Sequence, residues 1–517
     1  MYSIKRLTKN YNRSFFSKSL FTILVLFFVP LTSNLLADQL TPWDPWYWRQ
    51  LEQNELKGRL TPGLQLNARP FNITNLGDDV ESGWQHLKIL LESSTTTHHP
   101  IVRNQRGAWI TRGMNLKFQI ENGWISDYVS FWFEPRAIYS ENKDPVESFP
   151  EYHSTIKAVG QTPEKKQSYQ VTDLSRGNLL FHWQNLLLQT GYDSLRFGSG
   201  TRATLHWNIH APPMPLLRIG SRSPWHTSWG YWTFSHHVAQ LEKDRYVPHS
   251  RLSGWRLGWS SESSLELGLS RSWQVGWVSG EQFQFFSLIG ELYDPSNFFK
   301  KKPDFNNPDE DYSGGDYRNQ QIVMDGRLKF PKTGTRIYWE WGREDHEHDI
   351  SGIQNRWQHS QAKLLGWHQQ YGSKREWYST IEWADTLQPE GLLHWGYNIW
   401  YNHHLYKSGW TYKGILLGHP MGSDANMSSI VFGRMSPLLG WQLCLEEQNR
   451  GIRHAKISDS SKVRVETHRL LEFDIIYKMQ LNQWRLLMSS NNILNPGMIL
   501  GSKIKNNTLI FSWNHYW

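Results

Sequence analysis

A period of two runs through most of this chain, and it constrains the fold more than any other feature. In Val129 to Tyr139, one face carries Val129, Phe131, Phe133, Ala137 and Tyr139, and the other carries Ser130, Trp132, Glu134 and Arg136. In Thr335 to Glu344, Ile337, Trp339 and Trp341 alternate with Arg336, Tyr338 and Glu340. Leu471, Phe473, Ile475, Tyr477 and Met479 alternate with Glu472, Asp474, Ile476, Lys478 and Gln480. The same alternation is read around Trp255, Leu265, Trp377, Trp395 and Trp441. Successive side chains of a strand point to opposite faces, so these segments are strands with one apolar and one polar face. The apolar face is crowded with aromatic rings while its opposite carries charge. A sheet with lipid outside and a polar interior has this pattern; a soluble β-sandwich or propeller does not explain so many outward aromatics.

Composition supports that reading. The apolar fraction is 38%, too low for a helical membrane protein, yet there are 29 Trp, 22 Tyr and 23 Phe. A chain that is polar on average and rich in aromatics suits a barrel with an aromatic girdle at each interface. The expected fold is all-β: a transmembrane antiparallel β-barrel of about 16–18 strands, from roughly 10 residues per strand plus turns and loops, with a small helical region before it.

Residues 1–37 read as a signal peptide. Lys5, Arg6, Lys9, Arg13 and Lys18 precede the apolar run Leu20 to Leu31, which is too short to span a bilayer as a helix, and a cut after Ala37 fits. A retained N-terminal anchor is the other reading. Removing the leader's five basic residues takes the formal net charge from +8 to about +3, which gives no reason to expect a nucleic-acid partner. The single Cys444 excludes an internal disulfide framework and is expected to point inward as a small inert side chain.

Residues 38–106 are expected to form a periplasmic helical region or a plug, and residues 107–517 the outer-membrane barrel. Thr41-Pro42-Trp43-Asp44 reads as a helix start. Asp78 and Glu81 resemble a capping box, followed by Val80, Trp84, Leu87 and Leu91 at helical spacing. Glu141 to Gln170 and Asp294 to Asn319 read as long outer loops. The last strand places Leu509, Phe511, Trp513 and Trp517 on one parity. A terminal aromatic on an amphipathic strand resembles the signal read by the barrel-assembly machinery, and the outer face of such a strand meets outer-membrane lipid.

Two stretches go further. One holds Gly198 and Gly200, then Asn208, then Ala211-Pro212-Pro213-Met214-Pro215. The other, Gly414 to Asp424, holds Gly418, His419 and Asp424. Together they resemble the capsule assembly Wzi family of Gram-negative outer membranes, in layout over most of the mature chain and in motif over about a tenth of it. The resemblance implies a monomeric barrel of about 18 strands, a periplasmic helical region, and a lectin-like role in holding capsular or other surface polysaccharide. It does not name the glycan.

Sugar binding needs aromatic faces for C–H surfaces and planar polar groups for hydroxyls and carboxylates, and arginine pairs bidentately with uronic acids. Arg202, Trp207, Arg218, Arg222, Trp225 and Trp229 lie among prolines in a stretch read as a loop or inward fold, and are the candidate polysaccharide-binding residues. The alternative places Trp225 and Trp229 in the interfacial girdle and pairs the arginines across the lumen. His419 and Asp424 are expected to order their loop. His346-Glu347-His348-Asp349 lacks the His-Glu-x-x-His pattern, and His236-His237 and His403-His404 place neighbours on opposite strand faces, so neither metal nor cofactor is expected. No Gly-x-Ser-x-Gly elbow is present; Ser235-His236 or His515 lacks an acidic orienter, so no enzyme is expected. A porin-like channel for a solute or polymer is the rival to the lectin.

Overall fold

The computed structural model describes residues 45–57, 68–69, 85–97, 112–126, 128–141, 168–243, 245–261, 264–275, 319–344, 360–395, 399–403, 406–413, 415–458 and 463–516. Its main feature is a closed antiparallel barrel of 18 strands, at the upper end of the expected count. In chain order these are β1 (Gln85–Thr96), β2 (Gly113–Ile125), β3 (Val129–Ser140), β4 (Tyr169–Trp183), β5 (Leu186–Asp193) and β6 (Met214–Ser221). They continue as β7 (Gly230–Gln240), β8 (Arg251–Ser260), β9 (Leu265–Val275), β10 (Asn319–Phe330), β11 (Thr335–Glu344) and β12 (Gln361–Tyr371). The last are β13 (Trp377–Asp385), β14 (Ala425–Met435), β15 (Leu439–Arg450), β16 (Glu466–Met479), β17 (Asn482–Leu494) and β18 (Lys503–Tyr516). Each pairs with the next, and β1 pairs with β18 from Lys88↔Tyr516 to Thr96↔Thr508, which closes the ring. No described helix is long and apolar enough to cross a membrane; the crossing is made by strands.

The alternation sorts as the sequence predicts. Phe131, Phe133, Ile337, Leu471, Leu509 and Phe511 are exposed on the outside, while Glu134, Arg336, Glu340 and Asp474 are buried in the lumen. Connections at one end are short, as at 184–185, 436–438 and 480–481, and those at the other end are long. Short turns are periplasmic in such barrels, so the two ends are called inner and outer below. Trp484 pairs with both Trp513 and Tyr477 at the inner end, forming part of an aromatic girdle.

Three expectations need correction. The barrel begins before residue 107, because Gln85–Thr96 is its first strand. Leu87 and Leu91 were assigned to a helix face, but a spacing of four satisfies a period of two as well, and the β-branched Thr95 and Thr96 favour the strand. Val80 and Trp84 lie outside the described residues, as do Thr41, Asp78, His346–Asp349 and Trp517. Glu390–Trp395 is a short 3₁₀-helix after Pro389, so the strand alternation read around Trp395 does not hold. The proline-rich stretch is not wholly a loop: Met214–Ser221 is a barrel strand, with Pro215 tolerated at its second position.

One helix, α1 (Pro45–Leu56), lies in the inner half of the lumen. Arg336 Nη2 donates to Glu52 Oε1 at 2.7 Å, and Arg327 Nη1 donates to Glu55 Oε1 at 2.9 Å. Arg375, in an inner turn, donates to the Leu56 carbonyl at 2.7 Å and satisfies a helix-end acceptor.

Candidate functional site

The outer half of the lumen is built by two connections that fold inward: 194–213, between β5 and β6, and the described parts of 386–424, between β13 and β14. The first carries the Gly198-to-Pro213 motif and the second the Gly418-to-Asp424 motif. Although more than two hundred positions apart in sequence, they meet. The Asn208 amide donates to the Leu417 carbonyl at 2.6 Å. Tyr401 Oη donates to the Leu205 carbonyl at 2.5 Å and accepts from the His419 amide at 2.7 Å.

Two wall carboxylates fix the first loop. Glu340 on β11 accepts from the amides of Gly200 and Leu205, both at 2.7 Å. Glu382 on β13 accepts from the amides of Thr201 (2.5 Å) and Arg202 (3.2 Å), and from Tyr338 Oη (2.9 Å). A buried loop must satisfy its backbone donors somewhere, and here the barrel wall supplies the acceptors. Gly198 has φ of 134°, and a Cβ there would collide with the Glu340 carboxylate. At Gly418 a Cβ would collide with Tyr401 and the Leu205 carbonyl. Both motif glycines thus permit a close approach of backbone to a fixed partner.

Aromatic packing fills the space between. Trp207, Trp400, Trp410 and Tyr401 are all at most 1% exposed. Trp207 meets Trp410 edge-on at 5.8 Å and His237 at 5.2 Å, and its Nε1 donates to Ser272 Oγ at 3.0 Å. Phe197, Leu205 and Leu364 join the same core. Pro212 is buried and Pro213 half-buried where the chain returns to the wall.

The six candidate binding residues separate. Arg202 is in the lumen, with Nε donating to Glu446 Oε2 at 3.1 Å. Arg218 is buried on β6 and donates to Gln189 Oε1 at 2.8 Å. With Trp207, these three point into the packed interior rather than to the outer surface. Arg222, Trp225 and Trp229 lie in the inner connection between β6 and β7. The Arg222 amide donates to the carbonyl of Asn185 in an inner turn, and Trp225 and Trp229 are 40% and 79% exposed. His419 and Asp424 both accept backbone amides. His419 Nδ1 accepts from the Met421 amide at 3.2 Å. Asp424 Oδ1 and Oδ2 accept from the amides of Arg453 (2.9 Å) and His454 (3.0 Å) in the short helix α2 (Ile452–Ile457). Burial pushes the Asp424 carboxyl up to about 6.

Sequence reasoning did not single out Glu340, Glu382, Tyr401 or Trp410. Strand parity did put Glu340 on the polar face, but nothing local says which loop its carboxylate will hold. It also passed over the outer surface at loop 241–250. There Arg245 donates to the carbonyls of Thr411 (2.9 Å) and Gly409 (3.0 Å), tying the loop to the second inward loop. Tyr246, 47% exposed, lies under Lys407 Nζ at 4.7 Å from its ring centroid, and Lys243 of the same loop is exposed. An aromatic face with adjacent cations can take a sugar's C–H surface and an acidic group together. Among the described residues no group of three or more His, Cys, Asp or Glu side chains gathers to hold a metal ion.

Closed 18-strand architecture, outward aromatic belts and a polar lumen define an outer-membrane β-barrel of a Gram-negative bacterium. Residues 88–502 match the family model described as capsule assembly protein Wzi, and the chain belongs to that family. Among solved structures it is similar to Wzi of Escherichia coli, described as an outer-membrane protein involved in group 1 capsule assembly and a carbohydrate-binding β-barrel. The TM-score is 0.62 at 15% identity, covering 90% of this chain and 97% of that one. Weaker likenesses are Acinetobacter baumannii OccAB4 (TM-score 0.43, 9% identity, 84% and 99% covered) and Pseudomonas aeruginosa OccD3 (0.44, 9%, 85% and 93%). The curated protein sequences give no match.

Proposed function

We propose that this barrel binds capsular or other surface polysaccharide at its outer face and helps assemble or anchor it at the cell surface, without catalysing a reaction. The observation that carries this reading is the packed outer lumen. Trp207, Trp400, Tyr401 and Trp410 occupy the space that a solute path would need, which directs function to the outer surface. Family membership supports the same reading. Tyr246, Lys243 and Lys407 supply a surface of suitable chemistry, and each contact can be weak because repeats along one polymer raise the effective concentration.

Deleting the gene and measuring cell-bound against released polysaccharide tests the proposal. The cell-bound fraction is expected to fall and to recover on complementation; an unchanged fraction overturns it. Single-channel recording in a planar bilayer tests the rival. Little conductance is expected, and a large steady conductance would favour a porin-like channel.

A further inference from the structure

The lipid-facing side of the barrel differs at its two edges. At the inner edge the outward residues are aromatic, with Trp183 at 68% and Tyr477 at 43% exposed, and the outward Arg434 is paired with Glu376 at 2.9 Å. At the outer edge of β18 the outward residues are cationic. Lys503 and Lys505 stand on the same face of β18 as Leu509, Phe511 and Trp513, and both are exposed. Lys505 pairs with Asn492, and Asn492 pairs with Arg469, so a third cation stands in the same row two strands away. Arg469 shares its charge with Glu447 at 2.8 Å. Neither lysine is in an ion pair among the described residues.

Height along the membrane normal gives these lysines a partner. From Lys503 to Trp513 the strand rises about 33 Å at about 3.3 Å per residue. At a tilt near 40° that is about 25 Å along the normal, the height of the apolar band of such barrels. Trp513 and Lys503 therefore mark the two edges of the hydrocarbon, and the lysine side chains reach into the outer headgroup layer.

We propose that Lys503 and Lys505, with Arg469 beside them, bind the phosphate groups of an outer-leaflet glycolipid whose acyl chains lie along Leu509, Phe511, Met488 and Leu471. The ligand is a lipid headgroup rather than free phosphate, because the cations continue an exposed apolar surface rather than closing a pocket. The site is independent of the polysaccharide reading and stands if that reading fails.

The test uses the purified full-length barrel in neutral detergent, titrated with bis-phosphorylated lipid A, with the same lipid A stripped of phosphate, and with inorganic phosphate. The variants are the double Lys503→Gln/Lys505→Gln and, as a control, Lys374→Gln at an exposed lysine of an inner turn. The wild type is expected to prefer the phosphorylated lipid. The double variant is expected to lose about tenfold or more in affinity for it and to bind the stripped lipid as before, while the control stays unchanged. Equal affinity of the wild type for both lipids overturns the proposal even if the double variant fails to fold. Equal loss in the control, an unaltered double variant, or displacement of the lipid by millimolar inorganic phosphate overturns it as well.

Discussion

The lumen is stoppered twice, by different chemistry. At the inner end a single helix, α1, is held by charge: Glu52 and Glu55 on the helix face Arg336, Arg327 and Lys329 on β10 and β11. At the outer end two loops are held by buried aromatic area and by wall carboxylates that accept backbone amides. Buried ion pairs roughly break even against their desolvation, so they fix position more than they add stability. Aromatic burial is favourable in itself. The inner stopper is thus positioned by matched charges, with Leu51 and Leu56 buried beside them, whereas the outer one belongs to the main hydrophobic core of the protein.

The largest effect expected from this contrast is at the outer stopper. Trp410→Ala should cost about 3–5 kcal/mol, read as a lower unfolding midpoint of the detergent-solubilised barrel, together with a new conductance in planar bilayers. Next comes Glu55→Gln, which keeps the shape but removes the charge facing Arg327. A loss of about 1.5–3 kcal/mol in docking is expected for a charge-assisted bond, seen as faster proteolytic release of α1 while the barrel's own midpoint stays put. If Glu55→Gln lowers the barrel midpoint as much as Trp410→Ala, the two stoppers are not distinct.

The smallest effect is at Asp424, where the outer stopper runs into α2. Its folded carboxyl holds a proton up to about pH 6, against an ordinary value of 3.8. The folded state therefore binds more protons than the unfolded state between those values, and stability falls as pH rises through that window. Asp424→Asn keeps an acceptor and removes the titration. The midpoint of the wild type minus that of the variant should shrink from pH 4 to pH 7; a constant difference would show that Asp424 does not titrate there.

Much of the wall was legible in the sequence because strand parity is local. Glu134, Arg336 and Asp474 fall inward, and Phe131, Ile337 and Leu471 outward, as their alternation requires. β1 was misread because Leu87 and Leu91 fit either period. The two motif stretches were legible as motifs, yet their meeting was not: the Asn208–Leu417 and Tyr401–Leu205 contacts depend on which strands bring the two loops into one lumen. The candidate residues show the same limit. Arg202 and Trp207 do reach that interior. Arg222, Trp225 and Trp229, only a short way along the chain, are carried by β6 to the opposite end, because one strand spans the membrane.

The seam between β1 and β18 has a consequence for biogenesis. The strands that close the circle are the first and last of the barrel, so no contiguous subset of the wall is free of open edges. A barrel that lacks β18 presents unpaired backbone on both β1 and β17, a template for aggregation that only β18 can cancel. Closure therefore waits for Lys503–Tyr516, the one strand that pairs with both of those edges.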